Sequence, residues 1–302
     1  MGSQSKTMPM TRKEIRAKAR RMARAFKSEY RRNLVTTRRL FGKKAAVSGR
    51  TVWRGPSQLD PSKWVRVVLS NYVRPSENIK TGPMLQVAIF TDEEWEAMAY
   101  EICGNCPHGK DATEKGKRAA CYVQWDRIKG AWEASHSNRA LTLRQGSDMC
   151  HGMKVRFGMA GDPMAVPLYV WKMLLSKAKG VTGYTHQWYR TMDPMCPDYF
   201  RGYETIFMAS VDSPEQGVYA TRHGWRWFAV QSDPSQDYGD ATPCKALPET
   251  EGGKDLACSQ CLLCGPIGKK NIVIPAHGPG KGNVKALSIG DLYSSLGYLT
   301  VE

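Results

Sequence analysis

Three features of the sequence predict an α/β fold. β-rich runs alternate with helical stretches from residue 64 onward, no repeat with a period of roughly 20–50 residues is visible, and polar residues stand just past the ends of several candidate strands. The expected architecture is a partial or complete parallel β/α barrel, or an open parallel sheet, with cysteine-rich metal-binding loops and a basic N-terminal helix. Two units are expected: a basic helical arm, residues 1–50, and an α/β metal-binding domain, residues 51–302.

The arm comes first. The 302 residues carry a net charge of +16, and residues 1–44, with fifteen Lys and Arg against two Glu, hold +13 of it. The remainder of the chain is close to neutral, so the charge belongs to the arm. An anionic polymer, nucleic acid above all, is the expected partner, with affinity that falls steeply with salt. Thr11 and Glu14 have capping-box spacing, and Ala17, Ala19, Ala23 and Ala25 favour helix. Ile15, Met22, Phe26 and Tyr30 form a narrow apolar stripe. Arg12, Lys13, Arg16, Arg20, Arg21, Arg24, Lys27, Arg31, Arg32, Arg38 and Arg39 are the candidate phosphate contacts. A solvated tail and an organellar transit peptide share this composition. Removal of residues 1–44 is expected to leave the fold intact, since little core is read into them.

The β-rich runs 64–69 and 84–90 read as the first strands, and Thr91 and Glu94 would cap a helix after the second. A loop-rich stretch, 103–150, follows. Strand 154–159, helix 166–178, strands 181–185 and 206–210, helix 214–223 and strand 225–230 come next. A cysteine-rich loop, 232–266, precedes strand 271–275, and residues 287–299 form a short amphipathic piece.

Nine cysteines in a chain read as intracellular point to metal or redox chemistry ahead of disulfides. Cys258, Cys261 and Cys264 stand at C-x2-C-x2-C spacing with Cys244 upstream. Four thiolates suit a tetrahedral zinc or a cubane iron–sulfur cluster, and the triple spacing leans toward iron–sulfur. Cys103, Cys106 and Cys121 form a second candidate metal group, with Cys150, His151 or His108 open as a fourth ligand. Without a fourth, the open position suits catalysis or a substrate ligand. Cys196 reads as a lone thiol.

Asp162, His186, Asp212 and His277 lie just beyond the C-terminal ends of candidate parallel strands, where ligands and catalytic groups collect in barrels and open sheets. They are the candidate catalytic residues. Asp162 precedes Pro163 and also reads as a helix N-cap, whereas Ser213, Pro214 and Gln216 already cap the helix after Asp212. Either histidine also reads as a satisfied core residue. G-x-x-x-x-G-K-[ST], G-x-G-x-x-G after a strand, G-x-S-x-G and H-E-x-x-H are absent, which disfavours nucleotide triphosphatases, serine hydrolases and zincins.

The segments KTGPMLQV, CGNCP, RFGMAGDPMAVP, GYTHQW, MASVDSPEQG, CSQCLLCG and NIVIPAHG, spread over residues 80–278, resemble an uncharacterised family of phage-encoded proteins. That resemblance implies a phage setting and no mechanism. The order of early cysteines, βα units and late cysteines is also similar to radical S-adenosylmethionine enzymes. This second resemblance implies a partial β/α barrel, an iron–sulfur cluster and S-adenosylmethionine as a cofactor. The sequence departs from it, with C-x2-C-x14-C in place of C-x3-C-x2-C.

Two functions fit. One is a metal-dependent enzyme, with iron–sulfur or zinc, acting on or near nucleic acid. The other is a non-enzymatic nucleic-acid-binding protein with structural zinc, serving phage replication or packaging. No apolar run reaches the ~18 residues of a bilayer span, and the first residues lack the apolar stretch of a secretory signal. The expectation is a cytoplasmic protein, in a bacterial host if phage-encoded, with no membrane partner.

Overall fold

The computed structural model describes residues 11–43, 49–95, 100–109, 120–123, 125–193, 196–246, 256–277, 281–284 and 286–291. Valine-rich β2 (Trp64–Ser70) buries Val65, Val67, Val68 and Leu69, as a strand covered on both faces does. It pairs antiparallel with β1 (Arg50–Pro56) on one side and β3 (Leu85–Thr91) on the other. From β3 the pairing turns parallel, through β4 (Lys154–Ala160) to β5 (Gly180–Thr182). A second five-stranded sheet runs β6 (Tyr184–Thr185), β7 (Met208–Val211), β8 (Trp227–Gln231), β10 (Ile272–Pro275), β9 (Thr242–Pro243), and every pair in it is parallel.

Only Gly183 separates β5 from β6. A Cβ there would lie 2.8 Å from Phe157 Cβ and 3.0 Å from Phe207, so close packing of these rings requires glycine. Phe157 meets Trp171 and Phe207 edge-on at centroid distances of 4.8 and 4.9 Å, at the centre of the main core. Among the described residues one sheet ends at β1 and β5 and the other at β6 and β9, and no pairing closes a barrel. The α/β class holds, as two five-stranded sheets.

Several boundaries differ from the sequence reading. Strand β1 was not expected. The stretch 103–150 contains two helices, α4 (Trp125–Ser137) and α5 (Leu143–Cys150); the latter opens on a Thr142–Gln145 capping box. Thr91 ends β3 and its hydroxyl accepts from Glu93 N at 3.1 Å; residues 96–99 of the helix expected there lie outside the described residues, and α3 is described over Tyr100–Cys103. The helix expected from 166 begins later, because Pro163–Ala165 form a short 3-10 turn and Pro167 precedes α6 (Leu168–Leu175). Helix α7 (Pro214–Arg222) falls where expected. Most of the 287–299 piece lies outside the described residues. No described helix is long and apolar enough to cross a membrane.

The reading that residues 1–44 hold little core needs correction. Helix α1 (Arg12–Ala23) has the Thr11–Glu14 capping box, and after a 3-10 turn at Arg24–Phe26 the chain continues as α2 (Lys27–Phe41). Phe26 and Tyr30 belong to the main core. The fully buried Asn33 donates to Tyr72 O at 2.8 Å and Met149 O at 2.9 Å. Arg32 reaches His151 O at 2.6 Å, so it is a docking contact of the arm as well as a candidate phosphate ligand. Phe26 and Tyr30 of the apolar stripe are therefore a buried face, and the described residues 11–43 pack on the body.

Candidate metal centre

All parallel strands point their C-terminal ends to one edge, and the chain leaving that edge carries most of the candidate residues. After β4, Gly161 takes a left-handed conformation (φ 77°), and a Cβ on it would lie 2.6 Å from Ile89 Cβ. This turn delivers Asp162, whose carboxylate accepts from Met164 N (2.9 Å), Thr185 Oγ1 (2.6 Å) and His186 N (2.7 Å). Asp162 is thus both a cap and a brace that fixes the backbone of His186. Burial pushes its pKa above the ordinary carboxylate value, opposed by the Thr185, Met164 and His186 contacts.

Asp212 follows β7 directly, one residue before the Ser213 cap of α7. Ser213 caps that helix, with Gln216 N donating to its hydroxyl at 3.3 Å, so Asp212 is not the helix cap. Its carboxylate, almost wholly buried, accepts a 2.6 Å contact from His108 Nε2, and His186 Nε2 stands 3.9 Å from the same oxygen. The two imidazoles meet edge to face with centroids 5.4 Å apart. Ligand atoms of His108, His186 and Asp212 all lie within 4.8 Å of one another, and among the described residues this is the one such trio of metal-ligating side chains.

The loop that carries His108 is held by buried polar contacts. Fully buried Gln187 donates to Cys103 O at 3.0 Å, and Gly104, at φ 57°, leaves room for the Gln187 amide. Tyr189 hydrogen-bonds Asn105, and Cys121 N donates to His108 O at 3.0 Å. Of the three cysteines on this loop, Cys106 lies beside His108 and Asp212. Burial raises all three thiols, Cys106 and Cys121 to about 11; the His108 imidazole opposes the rise at Cys106, while Asp212 and Asp162 add to it. No three cysteine sulfurs among the described residues come within 4.8 Å of one another.

Of the four strand-end candidates, Asp162, His186 and Asp212 converge. His277 lies outside the triad; its ring stands 5.2 Å from Tyr122, and its Nδ1 is 3.0 Å from Pro275 O. Among the three proposed fourth ligands, His108 joins the centre. Cys150 is buried in the main core, and His151 is exposed beside α2. Cys196 is buried, its thiol 3.5 Å from Pro197 O. Sequence reasoning gave His108 only that secondary place, although its position two residues after Cys106 was the available signal. Tyr238 was missed altogether. Its buried hydroxyl has no hydrogen-bond partner among the described residues, and with burial as the larger cause, the nearby Asp212 carboxylate helps push the phenol up to about 12.

No protein-family model matches the chain, and the comparisons with curated proteins and with solved structures find no match either.

Proposed function

We propose that this chain is a phage-type, metal-dependent enzyme acting on nucleic acid, with its reaction centre at His108, His186 and Asp212. The observation that carries the reading is the meeting of three ligand atoms, delivered by three separate loops at one sheet edge, within 4.8 Å. Two imidazoles and a carboxylate suit zinc or ferrous iron, and three protein ligands leave a position for water or substrate. A divalent ion there would supply Lewis acidity. Asp162 orients His186 through the backbone, and the Tyr238 hydroxyl is available as a donor to an oxygen in the site. The parallel strands β3–β4–β5 and β6–β7–β8–β10 read as one half-barrel continued through residues 180–185.

The nucleic-acid part of the reading rests on the arm. Arg24, Lys27 and Arg31 are exposed on α1–α2 and line, with Ser28 and Arg32, a groove of about 680 Å³. Charge substitution tests this interaction without removing the buried face of the helix. Replacing Arg24, Lys27 and Arg31 by Gln should weaken binding to duplex DNA and lower the salt slope by about 2–3, at ~0.9 for each phosphate no longer neutralised. An unchanged slope would remove nucleic acid from the proposal.

A second reading is favoured by Cys103, Cys106 and Cys121, of which Cys103 lies near Asp162 and Cys106 near both Asp162 and Asp212. There the thiols would hold an iron–sulfur cluster working with S-adenosylmethionine, since a cluster gives each thiolate its own iron. Metal analysis of anaerobically isolated protein separates the two. The triad reading expects about one zinc or iron equivalent that His186→Ala loses and a Cys106→Ser variant retains. Brown protein that keeps its colour in His186→Ala and loses it in Cys106→Ser favours the cluster. Zinc retained by His186→Ala and lost on thiol replacement would favour a nucleic-acid-binding protein with structural zinc.

A further inference from the structure

Four thiols take no part in that centre and lie on the chain between β8 and β10. The single turn of α8 (Cys258–Cys261) puts Cys258 and Cys261 on one side, three residues apart. Leu262 then adopts a left-handed conformation (φ 54°), and Gly265 N closes a turn onto Leu262 O at 3.1 Å, which brings Cys264 round to the same region. Cys244 N donates to Val273 O at 2.8 Å, seating Cys244 beside β10. Cys244 and Cys264 pack on the same apolar patch, Met208, Phe228, Ile272 and Ile274, and the Tyr184 phenol donates to Cys264 Sγ. The thiols are near enough that Cys244, Cys258 and Cys261 each raise the Cys264 thiol, after burial as the main cause.

The surrounding bonds tie this loop to the N-terminal ends of the parallel strands. Cys258 N and Ser259 N donate to Lys80 O (2.7 Å) and Thr81 O (3.0 Å), just ahead of β3. Lys154, the first residue of β4, donates to Ser259 O. Arg226, just ahead of β8, spans Leu263 O and Gly265 O, both at 2.8 Å, and Lys270 O at 2.6 Å. Between β8 and β10 the described chain has only the two-residue β9 and the four-residue α8 as regular structure, so little backbone pairing of its own holds it.

We propose that Cys244, Cys258, Cys261 and Cys264 bind a cubane iron–sulfur cluster that staples this loop to the strand starts. A single tetrahedral zinc, at Zn–S ~2.3 Å, would hold its sulfurs about 3.8 Å apart. The successive three-residue steps of Cys258, Cys261 and Cys264 instead match the cysteine run of cubane clusters, which bind each thiolate through a different iron. The dry apolar wall and the Tyr184 donor to Cys264 suit a thiolate-bound cluster, because hydrogen bonds to sulfur and burial set its potential. The stretch it would staple has little regular structure of its own, so the cluster's role is structural.

The test uses the full chain, purified anaerobically after expression with iron and cysteine supplied. Iron, acid-labile sulfide, the visible spectrum and the melting temperature are measured for the wild type, Cys261→Ser and Asp212→Ala. About four iron and four sulfide equivalents should be lost in Cys261→Ser, with a lower melting temperature, and retained in Asp212→Ala. A variant with Cys103, Cys106 and Cys121 all replaced by Ala keeps the test open should Cys261→Ser not fold. It should still hold about four irons and a visible band bleached by dithionite. Zinc in place of iron and sulfide, or wild-type metal content and melting temperature in Cys261→Ser, would overturn the proposal. Neither outcome bears on the His108–His186–Asp212 centre, which Asp212→Ala reports separately.

Discussion

A chain lacking residues 1–44 is expected to unfold at or below ambient temperature. The deletion removes Phe26 and Tyr30 from the main core and Asn33 from its seat between Tyr72 and Met149. Truncating a buried aromatic side chain costs about 3–5 kcal/mol, and two carbonyls deprived of a buried donor cost about 1–3 kcal/mol each. The sum is comparable to the whole stability of a typical domain, about 5–15 kcal/mol. Partial deletion sharpens the prediction. Removal of residues 1–18 takes away Lys13 and Arg16 but no described residue of the main core, so it should leave the denaturant midpoint nearly unchanged. Urea melts of the two truncations measure this directly. A 1–44 deletion as stable as the full chain would mean that the packing of α2 on the body contributes nothing.

Asp212→Ala should weaken metal binding by well over 100-fold with only a modest loss of stability. Removing a hydrogen-bond partner one step away from a metal ligand costs 10–100-fold in affinity, and a directly ligating carboxylate contributes more than such a partner. The fold should survive because Ser213, not Asp212, caps α7, and the bond from the Asp212 backbone N–H to Gln216 Oε1 at 3.0 Å does not need the side chain. The residual cost is the His108 imidazole left without its acceptor, about 1–3 kcal/mol. Zinc should raise the melting temperature of the wild type, since ligand at 100 times its Kd stabilises by about 2.7 kcal/mol. It should leave Asp212→Ala unmoved. Chelator-competition titration gives the affinities, and equal affinity in the two proteins would mean that Asp212 ligates nothing.

Local signals in the sequence were read well where one segment contains the whole interaction. The Thr11–Glu14 capping box, the Ser213–Pro214–Gln216 start of α7 and the valine-rich run of β2 each depend on neighbours a few residues away. The Thr142–Gln145 box is equally local, and it starts α5 inside the cysteine-bearing stretch 103–150. The strand-end rule also worked for Asp162, His186 and Asp212, since parallel strands send their C-terminal ends to one edge whatever their separation in the chain.

The sequence by itself determined the α/β class, the helical arm, the order of most strands and the residue types that could ligate or titrate. Only the tertiary structure decided which of those residues meet. His108 was one of three equal candidates until the bond from Cys121 N to His108 O and the Gln187 bond to Cys103 O turned its loop toward Asp212. His277 satisfied the same strand-end rule and is placed against Tyr122, because where along the edge a strand stands depends on sheet order. The apolar stripe of the arm looked the same whether it faced water or core. Periodicity specifies that a face exists, and the burial of Phe26, Tyr30 and Asn33 depends on partners at Tyr72 and Met149 that no window of the arm contains.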